Sequence, residues 1–247
     1  MDTPLLEHYR RVEEEVASAC AAAGRKREDV RLLAVSKFHS EEDIAQLAQA
    51  GQRDFGENYL QEAAQKRAAL NSMPGSEGLR WHMIGHIQRR KARDIAGEFE
   101  LIHTLDSHEL ADEFQKRLQQ KNTTQKALLE INLGAEGQKA GIMPESASEL
   151  AMHILDNCPN LELRGLMCIP PVFDAGDAAR PWFAKLRELR DKLQISVGMQ
   201  LPELSMGMSG DFAAAIAEGA TIVRIGTSIF GPRPVKKPHL LPGLGLA

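Results

Sequence analysis

The chain has 247 residues, of which 43% are hydrophobic and 26% charged, and its formal net charge is −4. These values are typical of a soluble globular protein with one large core, and α/β barrels of this length form a single domain. The three cysteines, Cys20, Cys158 and Cys168, are odd in number and show no C-x-x-C spacing, which argues against both a disulfide framework and a zinc knuckle. An acidic N-terminal region and the lack of an eighteen-residue apolar run argue against secretion and membrane spanning, so we expect a cytoplasmic protein.

A helical pattern opens the chain. Thr3 and Pro4 are typical of a helix start, and apolar residues recur at helical spacing until Gly24, which predicts a leading helix over residues 3–24. Short apolar strands then alternate with helical patterns along the rest of the chain. The predicted strands are 32–36, 53–56, 81–84, 101–104, 127–133, 163–168, 203–206 and 221–225. The predicted helices between them are 41–50, 57–70, 86–96, 107–120, 145–156, 178–194 and 209–218.

This alternation predicts a single (β/α)8 TIM barrel preceded by an extra helix. Strands separated by helices form parallel crossover units, and eight such strands close a barrel. An open, doubly wound sheet is the alternative. Nothing marks a linker, so residues 1–231 are expected to form one domain. The proline-rich tail, 232–247, is expected to lie over the surface or to be disordered.

Candidate site residues are those just beyond the strands, because barrel active sites lie at the carboxyl ends of the strands. Lys37 closes the first apolar run, and a Gly-Thr-Ser turn at 226–228 follows the last strand. A lysine there offers an amine nucleophile, while the turn and Ser209, after the seventh strand, offer donors to a phosphate. Together they suggest pyridoxal phosphate. The ordinary alternatives are a solvated lysine, a tight turn and, for Ser209, the cap of the helix predicted at 209–218.

Arg224 lies within the last predicted strand. By alternation it shares a face with Ile222 and Gly226, so it is expected to point into the barrel, where an unpaired guanidinium is costly. A hydrogen bond to a pyridine nitrogen would give it a partner. An ion pair with an inward carboxylate such as Glu130 is the alternative.

Six motifs follow one another between about residues 30 and 231. They are Ala34-Val35-Ser36-Lys37, Phe55-Gly56-Glu57-Asn58-Tyr59, Trp81-His82-Met83-Ile84-Gly85, Arg164-Gly165-Leu166-Met167, Leu204-Ser205-Met206-Gly207-Met208-Ser209 and Val223-Arg224-Ile225-Gly226-Thr227-Ser228-Ile229-Phe230-Gly231. Together they resemble the YggS/PROSC family of pyridoxal phosphate homeostasis proteins, also called proline synthetase co-transcribed homologues.

The resemblance implies a single-domain barrel similar to the N-terminal domain of alanine racemase, which holds pyridoxal phosphate as a Schiff base. The residues that it assigns to the cofactor are Lys37 for the Schiff base, Ser209, Gly226 and Thr227 for the phosphate, Arg224 for the pyridine nitrogen, and Asn58 and His82 for the pocket lining. Met167, at the end of the sixth predicted strand, completes the set of candidates.

The chain departs from the family pattern at two places. Ile87-Gln88-Arg89-Arg90-Lys91 stands where the family usually reads Leu-Gln-x-Asn-Lys, so the role of that asparagine is not carried over. Met208-Ser209-Gly210-Asp211 stands where Met-Ser-Asp-Asp is common, which keeps the serine.

Two classes of function are open to this site. The resemblance favours a carrier that binds pyridoxal phosphate reversibly and controls its supply, without robust catalysis and so without catalytic residues. The alternative, an amino-acid racemase, needs a second acid or base on the opposite cofactor face, and neither Tyr9 nor Tyr59 is clearly placed for that. A phosphosugar barrel enzyme that uses Lys37 without a cofactor is a third interpretation.

Two other patterns in the sequence give weaker indications of function. His82 and His86 have the spacing of zinc ligands on a helix, but a strand end lies between them and the sequence offers no third ligand, so we predict no metal site. The basic run at 89–93 is expected to be a solvated helix face, because the chain is acidic overall and only 5% aromatic, which argues against nucleic acid. We expect a monomer whose partners are the cofactor and, as recipients, apo-enzymes that use it.

A final hypothesis concerns the loop at 134–141, whose three glycines should let it move at the barrel mouth. Lys139 in this loop would take the cofactor from Lys37 by transimination and pass it to an acceptor. A solvated lysine is the alternative.

Overall fold

The computed structural model describes residues 3–137, 140–171 and 175–232. Eight parallel strands form a closed barrel in which each pairs with the next along the chain. The strands are β1 (Arg31–Val35), β2 (Asp54–Glu57), β3 (Arg80–Met83), β4 (Leu101–Leu105), β5 (Gln125–Ile131), β6 (Leu161–Cys168), β7 (Glu203–Ser205) and β8 (Ile222–Ile225). β8 pairs with β1, for example Leu33 with Arg224. This closure confirms the (β/α)8 barrel and excludes the open sheet, and the strand bounds differ from those predicted by at most two residues.

Helices surround the barrel and join its strands. They are α1 (Pro4–Ala22), α2 (Glu41–Gln49), α3 (Leu60–Leu70), α4 (Ala92–Ile95), α5 (His108–Lys121), α6 (Ala147–Asn157), α7 (Arg180–Val197), α8 (Phe212–Ala217) and α9 (Thr227–Phe230). The leading helix is confirmed: the Thr3 side chain accepts a hydrogen bond from the Leu6 N–H at 3.4 Å and caps α1. No helix within the described ranges is both long and apolar enough to cross a membrane.

Three helix predictions are wrong in detail, and one single-turn helix was not predicted. The helix predicted at 57–70 begins only at Leu60. The helix predicted at 86–96 is a 3-10 turn at Arg89–Lys91 followed by the single turn α4, because Gln88 is extended and Gly97, at φ 78°, ends the segment. The helix predicted at 209–218 begins only at Phe212. The single turn α9 was not predicted, because four residues are too few to show helical periodicity.

A β-bulge between β5 and β6 sets which residues face the barrel interior. The pairing shifts between Ala127 and Leu128, where Gly165 adopts φ 156°. A Cβ on Gly165 would lie 1.8 Å from the carbonyl oxygen of Glu203, so only glycine fits there. Beyond the bulge, Leu128 joins an apolar interior layer made by Leu33, Leu101, Leu128, Met167 and Ile222.

Candidate functional site

A cavity of about 270 Å³ opens at the barrel mouth, beyond the carboxyl ends of β1, β7 and β8. Six of the eight residues predicted from the sequence line it, namely Lys37, Asn58, Ser209, Arg224, Gly226 and Thr227. The structure therefore brings together the lysine, the guanidinium and both halves of the predicted phosphate site.

The other two predicted residues, His82 and Met167, lie outside this cavity. Side chains alternate along a strand, so His82 faces the interior below Ile84, and Met167 faces it below Ile169. Ile84 and Ile169 line the cavity, while His82 and Met167 are fully buried beneath them. The motifs locate the correct strands, but the wall of the cavity is formed two residues further along each.

A buried ion cluster supports the strand end that carries Lys37. The Lys66 ammonium, on α3, lies 2.8 Å from Glu57 Oε1 and 2.6 Å from Glu62 Oε1, and it donates to the Ser36 carbonyl oxygen at 2.6 Å. The Ser36 hydroxyl donates to the same Glu57 oxygen at 2.7 Å. Burial raises the pKa of Glu57, and Lys66 opposes that shift. Lys66 and its carboxylates thus tie α3 to the ends of β1 and β2.

The same cluster holds the turn immediately after Lys37. Phe38 has a left-handed backbone, φ 69°, which is uncommon for a residue other than glycine. Its N–H donates to the Glu62 carboxylate. This contact stabilises a turn that leaves Lys37 among the residues lining the cavity.

The phosphate side of the cavity consists of two loops. Gly226 is the N-terminal cap of α9, whose first N–H groups have no partner inside the helix. Ser209 is not a helix cap, since Asp211 occupies that position before α8 and accepts from the Met208 N–H at 2.6 Å. The Ser209 hydroxyl therefore remains available to the cavity that it lines.

Arg224 lies inside the barrel, and its hydrogen-bond partners there are neutral groups and not a carboxylate. It is 5% exposed and donates to Ser205 Oγ at 2.8 Å and to the Cys168 carbonyl oxygen at 2.9 Å. The alternative of an ion pair with Glu130 is wrong, because no salt bridge joins the two side chains in the described part of the chain, and their charges interact only at longer range. A guanidinium has five N–H donors, so Arg224 keeps donors for a ligand.

Below Arg224, a chain of hydrogen bonds crosses the barrel interior. Ser205 Oγ lies 2.8 Å from His103 Nδ1, and His103 Nε2 lies 3.0 Å from His82 Nδ1. His82 Nε2 lies 3.1 Å from Asp54 Oδ1, at the far end of the barrel. Burial lowers the pKa of both histidines, so both are neutral at pH 7.

The donors and acceptors of this chain fix its direction. Burial alone would raise the pKa of Asp54, but hydrogen bonds from Arg80 and His82 hold it well below its usual range. A carboxylate only accepts, so neutral His82 carries its proton on Nε2 and accepts at Nδ1. His103 then donates from Nε2 and accepts at Nδ1 from the Ser205 hydroxyl. In every hydrogen bond of this chain, the donor therefore lies on the Arg224 side and the acceptor on the Asp54 side.

Sequence reasoning missed His103 and Asp54, which lie within strands and have no motif to mark them. It also missed His39, which lines the cavity, stacks on Phe230 with ring centroids 4.5 Å apart, and has its pKa lowered by burial. The inward alternation of residues 101 and 103 is the signal that would have placed His103 inside the barrel.

The remaining sequence candidates fall elsewhere. Tyr9 is buried and donates to Gln52 at 3.3 Å, and Tyr59 packs against Phe38 outside the lining of the cavity. His86 faces Asp106 at 3.6 Å, whereas His82 lies 3.1 Å from Asp54. Lys139 and most of the proline-rich tail, 233–247, lie outside the described residues.

Comparison with known proteins identifies the family. The family described as alanine racemase, N-terminal domain, matches residues 10–234. A pyridoxal phosphate homeostasis protein of Aquifex aeolicus is 45% identical, covering 92% of this chain and 97% of the relative, and one of Escherichia coli is 37% identical, covering 92% and 95%. The chain belongs to the pyridoxal phosphate homeostasis protein family.

Solved structures agree with this membership. PipY of Synechococcus elongatus, solved with pyridoxal phosphate bound, is 35% identical with a TM-score of 0.75, covering 87% of this chain and 100% of PipY. An alanine racemase of Clostridium difficile is 16% identical with a TM-score of 0.67, covering 91% of this chain and 60% of the racemase. The racemase shares the fold, whereas PipY also shares the family.

Proposed function

We propose that this protein binds pyridoxal 5'-phosphate, holds it as a Schiff base on Lys37, and takes part in intracellular homeostasis and delivery of the cofactor without robust catalysis of its own. The observation that carries the proposal is the convergence of six predicted residues on one cavity. The names of its relatives, and the cofactor bound to PipY, support it.

The donor set of the cavity fits this cofactor. Ser209, Gly226 and Thr227 supply hydroxyl and N–H donors for a phosphate, and helix starts favour anions. Arg224 faces the same space with donors to spare and would hold the pyridine nitrogen, and Lys37 supplies the amine.

Pyridoxal phosphate supplies an electrophilic aldehyde and an electron-withdrawing ring. Arg224 limits the second property, because it can only donate and therefore keeps the pyridine nitrogen unprotonated. Its anchors, Ser205 and the Cys168 carbonyl, fix it in that role. A weakened electron sink suits a carrier better than a catalyst.

An amino-acid racemase is the alternative, and the observation in its favour is His39. This histidine lines the cavity beside Lys37 and offers a proton acceptor that neither tyrosine provides. Tyr9 and Tyr59 do not line the cavity.

The experiment that separates the two functions loads the protein with pyridoxal phosphate and measures two rates. We expect the loaded protein to activate an apo-enzyme that requires the cofactor. We expect no racemisation of alanine or other amino acids above that given by the free cofactor. Rapid racemisation that is lost in His39→Ala would favour the enzyme. The protein is expected to act as a cytoplasmic monomer in this role.

A further inference from the structure

A second cavity, of about 250 Å³, adjoins the one that contains Lys37. The two cavities share Asn58, Ile84 and Ile169 as wall residues. Glu130, at the end of β5, lines only the second cavity. Any molecule bound there would therefore lie next to the proposed cofactor site, beside side chains that line both cavities.

One oxygen of the buried Glu130 carboxylate has no hydrogen-bond partner among the described residues. The residue is 7% exposed, and the oxygen concerned is Oε2. Arg224, whose charge acts on Glu130, donates its hydrogen bonds to Ser205 and Cys168 instead. Asn58 Oδ1 is the second buried acceptor without a partner in this cavity. Buried polar groups are normally hydrogen-bonded, so two unpartnered acceptors in one cavity indicate a ligand that donates.

The charges around Glu130 select the kind of donor. Burial and, to a smaller extent, the negative charge of Asp106 raise the pKa of Glu130 to about 7, against the opposing charge of Arg224. His86 faces Asp106 from the other side at 3.6 Å. Two carboxyl groups attract a cation and repel an anion.

The apolar walls select the rest of the ligand. Ile84 and Ile169 would contact an alkyl chain. An α-amino acid would bring its own carboxylate towards Glu130 and Asp106, whereas a lysine side chain ends in an ammonium group alone.

We propose that the second cavity is a binding subsite for an alkylammonium group, specifically the lysine side chain of a protein that receives the cofactor. Glu130 and Asn58 accept the hydrogen bonds of the ammonium nitrogen. An amine must lose a proton before it can act as a nucleophile, and Glu130 accepts that proton: one N–H bond breaks and one O–H bond forms at Oε2. This inference rests on the proposed function, and it explains how the site favours delivery over amino-acid chemistry.

The test compares 1-aminopentane with norleucine, which is the same molecule bearing an α-carboxylate. Binding is measured by ligand-observed NMR on the protein without added cofactor, and by release of pyridoxal phosphate from the loaded protein. Because Glu130 and Asp106 would repel the α-carboxylate of norleucine, we expect 1-aminopentane to bind and to release the cofactor at about tenfold lower concentration than norleucine. Equal potency of the two ligands would overturn the proposal.

Glu130→Gln removes the charge and preserves the shape. This substitution should weaken the binding of 1-aminopentane about tenfold and leave the absorbance of the bound cofactor unchanged. Glu98→Gln, on the surface and paired with Arg67, is the matched control and should change neither. Unaltered amine binding in Glu130→Gln would contradict the subsite.

A pH series on the parent protein gives a second measurement that does not depend on a variant. An ammonium group binds ionised Glu130, so binding should strengthen as pH rises through about 7. Glu130→Gln should lose this dependence, which would identify Glu130 as the group responsible. A flat profile in the parent overturns the proposal. If the parent takes up no pyridoxal phosphate but still binds 1-aminopentane through Glu130, the proposed function fails and the subsite stands.

Discussion

Ser209 and Thr227 belong to loops that follow different strands, yet both line one cavity. If they hold the phosphate, Ser209→Ala with Thr227→Val removes two hydroxyl donors to a charged group. We expect the affinity for pyridoxal phosphate to fall about tenfold or more, and that for unphosphorylated pyridoxal to change little. Fluorescence titration with both ligands measures this difference. Ser196→Ala, on α7, is the control, and equal losses for the two ligands would show that the phosphate lies elsewhere.

His82 and His103 carry a second prediction, because the hydrogen bonds that they make leave one arrangement of protons. Histidine ¹⁵N NMR at pH 7 should find both rings neutral with the proton on Nε2. Ser205→Ala removes the donor to His103 and an acceptor of Arg224, so we expect it to reduce the free energy of unfolding by about 1–3 kcal/mol. A proton on Nδ1 of either ring, or a doubly protonated ring, would contradict the derived direction of the chain.

At the scale of elements, α3 is joined to the ends of β1 and β2 by one buried ammonium. Lys66→Met would leave the fully buried Glu57 without its cation. We expect a loss of about 3–5 kcal/mol in the free energy of unfolding by urea, and partial recovery in Lys66→Met combined with Glu57→Gln.

Lys126→Met is the matched control for this ion cluster. It breaks a pair with Glu100 that is well exposed, which should cost less than about 1 kcal/mol. Comparable losses for Lys66→Met and Lys126→Met would show that the buried cluster contributes no more than a surface pair.

The elements also show what the sequence can predict. The strands were predicted because buried parallel strands are continuous apolar runs bounded by turn residues. The structure of the segment that follows β3 was not predicted correctly. One apolar pattern runs from Trp81 to Ile95, but it covers the end of a strand, a turn and a single-turn helix. A short element such as α9 depends on the loop that precedes it, and four residues are too few to show a periodic pattern in the sequence.

At the scale of the whole barrel, the strand ends in the sequence predicted which residues line the cavity. They did not predict the hydrogen bonds in the interior of the barrel. Lys37, Ser209 and Thr227 follow their strands in the sequence, so the fold class alone places them together. His82 lies below the lining of the cavity, and the motif does not say how far up the barrel each inward residue lies. The partners of His82, namely Asp54 and His103, are 28 and 21 residues away, and the pairing of β3 with β2 and β4 brings them within reach.

The most direct test of this account locates the cofactor on the chain. The protein is loaded with pyridoxal phosphate, reduced with borohydride, digested and mapped by mass spectrometry. We predict one pyridoxyl group, on Lys37, and loss of the visible absorption band in Lys37→Ala. An adduct on another lysine, together with an unchanged band in Lys37→Ala, would contradict the assignment of the site.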